Sequence, residues 1–427
     1  MAQKGILEGI KVADFTWVGV GPQIGRELAE HGATVVRIES HKRPDSLRVQ
    51  TPFKDGLPGI DRSAYGAAFN TNKYGISLDL TKPQGREVAR RLVAWADVVA
   101  DSFTPGSMAR LGLDYESCRQ IKPDIIYYST SQLGQQGPFN TLGGYGVMGA
   151  AYAGLCHLTG WPDRLPVALP NAYTDVLSPW YLCSLVIAAL DHRRRTGQGS
   201  YLDMSQVEAG ITFWGPGLLD YVVNGRVATR MGDRDPYMAP HGVFPCLSFS
   251  GKDLGDDKWV AISISTDEEW RALCRAMGDP EWALELRFAT LSGRKENEDE
   301  LEPLIGEWSK DYAAEQVMAT LQAVGVPAGV VQTCEDLFND PQVKHRQHFR
   351  LLQHKVIGGH HYHAPAYRLS KTPAQLRRAA PCLGQDNEFV YRELLGYSDE
   401  EVAQFLLDGV ITTEQDVPDI LKPKKPK

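Results

Sequence analysis

The chain has 427 residues, 43% of them hydrophobic, and a formal net charge of -8 at pH 7, enough apolar content for more than one core. That acidic balance opposes a polyphosphate backbone and sets nucleic acid aside, while a small anion can still be held by local cations and helix ends. Seven cysteines scattered singly give no metal-ligand spacing and fit a reducing compartment.

The opening MAQKGILEGIKVADF has no long apolar run before a cleavage-like site, and the apolar stretch from Trp180 to Leu190 is too short and too closely followed by charge to cross a membrane. The expected location is the cytoplasm, with no membrane partner. Residues 10–15, IKVADF, read as a strand. Gly19, Gly21 and Pro22 interrupt the pattern before the helical IGRELAEHG, and ATVVRIE is a second strand. Strand, glycine-rich turn, helix and strand make a βαβ unit, although the turn is not the GxGxxG of dinucleotide sites. A helix from about Gln84 to Trp95 follows, then strands at 97–100 and 124–130. These β-branched and aromatic runs suit a parallel sheet covered by helices. The loops after the strands should gather at the sheet's carboxyl edge, where open α/β sheets bind ligands.

A helix is predicted from about Pro179 to Arg193, then the turn TGQGS and a further strand and helix. From about Leu219 the composition changes, with Gly225, Gly232, Pro236, Pro240 and Gly242 marking a linker. An α+β module follows, with a strand at WVAISI and helices near DEEWRALCRAM and ENEDELEPLIGEW. GVPAGVV at 325–331 begins a third stretch expected to pack back on the first domain. The division is thus 1–220, 221–330 and 331–427.

Asp175, in ALPNAYTDVLSPWY, stands where a helix begins. A carboxylate there can be kept ionised by the helix dipole and attack an electrophilic carbonyl, but placement alone reads more simply as a helix cap, with Ser178 as competitor just before Pro179. Asp14 reads as a turn or sheet-edge residue. Lys73 and Arg110 can each meet phosphate or merely serve a surface turn or helix end, and Arg26, Arg37 and Lys42 can add a positive rim. The histidines His345, His348, His360, His361 and His363 form no compact metal motif and read as solvated loop. No metal site is expected.

The segments GIKVADFTWVGVGPQIGRELAEHGATVVRIE, FNTNKYGISLDL, WADVVADSFTPGSMARLGLDYE, KPDIIYYSTSQLGQQGP, YTD ending at Asp175 and AALDHRRRTGQGSYLDMSQVEA, with GVPAGVVQTCEDLFNDPQVKHR and APCLGQDNEFV late in the chain, resemble in order the family III CoA-transferases, which include formyl-CoA and carnitine CoA-transferases. The resemblance implies an α/β fold, with a Rossmann-like large domain, a smaller α+β domain and two ring-like subunits interlocked. It implies a homodimer, with a heteromer of a related subunit as the alternative. Asp175 falls on the family's catalytic aspartate, Gln23 on the turn near the active centre, Lys73 and Phe103 on the CoA site, and Arg110 on the residue that meets CoA phosphate. No permanently bound cofactor is implied, and coenzyme A enters as the thioester substrate.

The chain departs from that pattern at Ser40, where relatives have a basic residue, at Ser102 in SFTPG, and at Gln132 and Leu133 in the STSQLGQQGP loop. These changes bear on the acid substrate. The implied reaction moves CoA from an acyl-CoA, succinyl-CoA being one candidate, to a free carboxylic acid through an aspartyl anhydride and an aspartyl-CoA thioester. Trp17, Phe103, Tyr145, Tyr152, Trp180 and Trp214 suggest an aromatic or substituted diacid such as benzylsuccinate, core packing being the plainer reading of each. Three alternatives compete. An α-methylacyl-CoA racemase would need a histidine where the chain has Gly143, Gly144 and Tyr145; a NAD-dependent dehydrogenase lacks its GxGxxG; a non-catalytic partner subunit would not need Asp175.

Overall fold

The computed structural model describes residues 4–169, 172–247 and 257–421. The chain divides into two compact units, one of Met1–Cys156, Ala168–Gly225 and Gln342–Lys427 and one of His157–Val167 and Arg226–Pro341.

In the first unit six strands, β1 (Lys11–Asp14), β2 (Thr34–Glu39), β3 (Tyr74–Ser77), β4 (Val98–Asp101), β5 (Ile126–Ser131) and β6 (Ser200–Ser205), pair in the order β3-β2-β1-β4-β5-β6. Every pairing is parallel. This is the strand order of doubly wound nucleotide-binding sheets. Both faces of the central strands are covered, so apolar residues of β1, β2, β4 and β5 point to both sides of the sheet. Val12, Val35, Val98, Ile126 and Tyr128 point to one core with Ile24 and Leu28 of α1 (Val20–Glu30). Ala13, Val36, Ile76, Val99 and Tyr127 point to the other, packed on Val88, Leu92 and Val93 of the Pro83–Trp95 helix. Each such fully buried side chain stabilises the fold by roughly 1.5–3 kcal/mol before entropy is charged against it.

The Tyr173–Thr196 helix begins well before Pro179 and is, by length and composition, long and apolar enough to span a membrane. That differs from the shorter stretch read from sequence, because Pro179 lies inside the helix and not at its start. Leu182, Cys183, Val186 and Ala189 instead make one buried stripe on the sheet. The chain's last segment covers the outer edge of β3: Gly75 N–H donates to Asp386, Ser77 N–H to Asn387, and the Tyr391 hydroxyl to Ser77 O. An otherwise open strand edge is thereby satisfied.

The second unit carries an antiparallel sheet of β7 (His241–Pro245), β8 (Trp259–Ser263) and β9 (Ala328–Val330). Phe244, Val260, Ile262, Trp270, Leu273 and Ile305 fill its core. GVPAGVV does not open a stretch on the first unit as expected; it supplies β9, because Ala328 and Val330 complete the ladder along β8. Three of the late histidines are not in a loop either. His360, His361 and His363 lie on β11 (Gly358–His363), paired with β10 (Phe349–His354).

Candidate active site

Strand order reverses between β1 and β4, so their carboxyl ends open a crevice. The loops after β1, β4 and β5 meet there, as the sequence pattern leads one to expect. Ser102 ties two of them, its Oγ accepting from Trp17 N–H at 2.7 Å and donating to Trp17 O at 3.0 Å. A cavity of about 110 Å³ is lined by residues of all three loops, and Asp175 forms part of its wall.

Asp175 lies in the first turn of the Tyr173–Thr196 helix, whose N-cap is Ala172 with no side-chain cap. Neither Asp175 nor Ser178 is therefore the cap. Pro179, four residues on, has no N–H to give the Asp175 carbonyl. Gln23, on α1, supplies the missing donor: its Nε2 reaches Asp175 O at 3.0 Å and Gly19 O at 3.3 Å. One side chain thus ties the β1 turn to the aspartate's own backbone.

The carboxylate is wedged between two glycines. A Cβ at Gly146 would come 2.5 Å from Asp175 Oδ1, and one at Gly19 would come 2.9 Å from Oδ2. Among the described residues no group donates a hydrogen bond to it, and burial raises its carboxyl to about 6. Desolvation therefore outweighs the helix-end field that was expected to hold the group low. At neutral pH the group is still mostly ionised, as a desolvated carboxylate. Tyr65, which the sequence did not single out, has its phenol raised by burial and by the nearby Asp175 charge.

The turn under Asp175 is held under strain. Val18 has φ 63°, a left-handed conformation costly for a β-branched residue. Asp45 clamps its N–H at 3.1 and 3.2 Å. Arg37 in turn pairs with Asp45 at 2.5 Å and donates to Thr16 O at 3.0 Å. Arg37 and Arg48 both pair with Glu39. Burial works against its charge, yet the two guanidiniums hold Glu39 well below the carboxylate range.

Beside the cavity runs a groove of about 470 Å³, and Trp17, Phe103 and Thr104 belong to both. Trp17 and Phe103 meet edge to face at 5.3 Å. Lys42, Arg43 and exposed Arg110 face the groove. Arg43 lies over the Trp17 ring at 5.5 Å, Lys42 pairs with Asp79 at 2.8 Å, and Arg110 donates to Ser107 Oγ. Arg43 was missed in the sequence, although HKRP after β2 offered it.

The other candidates fall elsewhere. Lys73 is fully buried, with Nζ bound to Asp14 at 2.8 Å, Pro22 O at 2.8 Å and Asn70 at 3.0 Å. Burial lowers its ammonium to about 8. All its donors are spent under α1, so it braces the start of that helix and presents nothing to the groove. Asp14, read as a sheet-edge residue, is its counter-ion. Arg26 and Arg37 are buried in pairs with Glu27, Glu30, Glu39 and Asp45, so of the expected positive rim Lys42 and Arg110 face the groove. Of the six aromatics, Trp17, Phe103 and Tyr145 line the cavity. Trp180 packs on Tyr367, Trp214 donates to Ala153 O, and Tyr152 is exposed elsewhere.

A family model described as CoA-transferase family III matches residues 7–387. The chain is 30% identical over 405 residues to the succinyl-CoA:D-citramalate CoA-transferase of Chloroflexus aurantiacus, covering 95% of this chain and 98% of that one. It is 32% identical to the succinate:glutarate CoA-transferase of Agrobacterium fabrum, covering 91% and 95%. The crystal structure of a CAIB/BAIF family protein from Brucella suis matches with a TM-score of 0.83 and 32% identity, over 92% of this chain and all of that one.

Two substitutions separate the roles of the buried charges. Lys73→Met leaves Asp14 buried without its cation and is expected to cost about 3–5 kcal/mol in a urea denaturation series; a stable variant with weakened CoA binding would instead return Lys73 to the ligand. For Asp175, burial raises the folded carboxyl above an unfolded value near ~3.9, so ionising it costs stability that is absent below that pH and fully felt above about 6. Asp175→Asn should therefore be more stable than the parent at pH 7.5, by on the order of 1–2 kcal/mol allowing for partial solvent contact, with the gap closing toward pH 4. An Asn variant less stable at pH 7.5 would contradict the desolvated carboxylate.

Proposed function

Because the chain belongs to family III of the CoA-transferases, we propose that it moves CoA from succinyl-CoA to a second carboxylic acid, with Asp175 carrying the acyl group and then the CoA. The observation that carries this reading is the Asp175 carboxylate, desolvated and without a hydrogen-bond donor among the described residues, in the cavity that adjoins the groove. A carboxylate is a weak nucleophile in water, and stripping its solvent shell is the most direct way to make it attack a thioester.

In the proposed course, an Asp175 oxygen attacks the thioester carbonyl and the C–S bond breaks, giving a mixed anhydride and CoA thiolate. The thiolate then attacks the aspartyl carbonyl, which releases the donor acid with one former Asp175 oxygen and leaves an aspartyl-CoA thioester. The acceptor carboxylate attacks that thioester to form a second anhydride, and the thiolate finally takes the acceptor's acyl carbon, returning Asp175 as carboxylate. Gln23 fixes the backbone of Asp175 throughout. Phe103 and Trp17 give the CoA chain an apolar wall at the junction of groove and cavity. Arg110, Lys42 and Arg43 offer cations to its phosphates, the last two standing in for the basic residue absent at Ser40.

The acceptor is a substituted dicarboxylic acid. Trp17, Phe103 and Tyr145 are the side chains that would meet an aromatic substituent such as that of benzylsuccinate. A racemase would need a proton-transfer group where the chain has Gly144, which carries none; this supports transfer over proton exchange. A homodimer is proposed from the apolar side chains left exposed on the Pro216–Asn224 helix, Leu219, Val222 and Val223 among them, and the reducing cytoplasm from the unpaired cysteines.

Initial rates with succinyl-CoA against a panel of aliphatic, hydroxylated and aromatic acids, with light scattering on the same preparation, test this reading. Asp175→Ala should lose at least about three orders of magnitude of transfer while keeping its affinity for CoA. Near-normal turnover by that variant, or no transfer to any acid, would remove the proposal, and a monomer mass would remove the dimer.

A further inference from the structure

Among the described residues three carboxamide side chains line the Asp175 cavity, those of Gln132, Asn140 and Gln206. Two are committed within the protein: Gln132 Nε2 donates to Tyr145 O at 3.2 Å, and Asn140 Nδ2 to Gln135 O at 2.9 Å. Gln206 differs. Its amide makes no hydrogen bond among the described residues, and the side chain is half-buried with neither amide atom sealed from solvent.

The backbone that carries this free amide is fixed. Gln206 follows directly on β6, whose last residue, Ser205, pairs with Ser131 of β5. Its neighbours on both sides bond to one acceptor, Ser205 Oγ donating to Gln132 O at 3.3 Å and Val207 N–H at 3.1 Å. Ser205 Oγ also accepts from Glu208 N–H at 3.2 Å, which caps the short Gln206–Ile211 helix. A polar side chain that the fold does not use thus stands on an anchored turn at the edge of the cavity.

The charge in the cavity decides what such an amide can do. No described residue donates to the Asp175 carboxylate, and burial alone raises its carboxyl to about 6. A cation beside it would pair with it, hold the carboxyl low and blunt its attack. A neutral amide donates without that penalty, and the negative potential of the carboxylate favours the NH2 end of Gln206 turned toward it. When a carboxylate attacks a thioester, negative charge also develops on the carbonyl oxygen. In a cavity of about 110 Å³, roughly four waters' worth, that oxygen stays within a few ångströms of the walls. A held donor aimed at it acts most strongly where water is excluded.

We propose that Gln206 is a second catalytic residue, its Nε2 donating to the oxygen that becomes negative as Asp175 attacks the thioester carbon, an assignment that rests on the transferase reading above. As an Asp175 oxygen bonds to that carbon, the carbonyl π pair moves onto the oxygen, which the amide holds by a hydrogen bond without giving up its proton. The pair then returns, the C–S bond breaks and CoA leaves as thiolate. Each later attack on an acyl carbon in the cavity forms the same kind of oxyanion and uses the same donor.

The test compares the full-length parent, Gln206→Met and Gln206→His, with succinyl-CoA and at least two unlike acids that the parent accepts. Methionine has similar volume and no donor, and no bond within the protein is lost. The melting temperature should therefore stay as it is while kcat falls by about 10²–10³-fold, the cost of removing one oxyanion donor. The fall should be the same for every acid, with KM for succinyl-CoA and for each acid within about threefold of the parent. Histidine places an N–H at the same number of bonds from Cα, so Gln206→His should recover at least about tenfold of the lost kcat. An unchanged kcat in Gln206→Met, a loss confined to one acid, a raised KM for acids at intact kcat, or a loss that Gln206→His does not relieve would overturn the inference and leave the transferase reading standing. A parent enzyme that transfers CoA to no acid would overturn both.

Discussion

In the proposed mechanism Asp175 has to be charged to attack a carbonyl and stripped of water to attack it well. These demands oppose each other, and the first unit is arranged around the conflict. Its carboxyl settles at about 6 through burial, high enough to show that solvent has been taken away and low enough to leave the group ionised at neutral pH. The glycines at 19 and 146 follow from it, since any side chain there would strike the carboxylate. So does Gln23, which supplies the hydrogen bond that Pro179 cannot give to the Asp175 carbonyl. A proline in the second turn of a helix would otherwise leave that carbonyl unsatisfied at the most sensitive point of the fold.

Beneath the aspartate lies a frame of buried charge. Arg37, Asp45, Glu39 and Arg48 are joined through short ion pairs and hold the Val18 turn in a conformation it would not choose. Lys73 and Asp14 lock the start of α1 from the other side. Such pairs add little net stability over apolar packing, but losing one partner is expensive, so the geometry they impose is hard to relax. Rigidity at the turn keeps Trp17 and Ser102 in register, and with them the junction between groove and cavity.

The parallel sheet could be read from the sequence because its central strands are buried on both faces and carry runs rich in β-branched and aromatic residues, as in TVVRIE and DIIYYST. Asp175 was visible through the family's ordered segments, whereas its helical position suggested only a cap. Pro179 misled, since proline usually marks a helix start and here sits inside one. Charges that look alike along the chain separated in three dimensions: Lys73 found Asp14, 59 residues away, and Arg26 and Arg37 found buried partners, while Arg43 reached the groove. No local pattern carries that information.

What distinguishes covalent carriage by Asp175 from any passive role is a bond to its side chain. Incubating the enzyme with succinyl-CoA, quenching with hydroxylamine and sequencing peptides by mass spectrometry should give a hydroxamate at Asp175 and at no other carboxylate, formed only when the thioester is present. An unmodified Asp175 in enzyme that is turning over, or a hydroxamate at another residue, would contradict the mechanism.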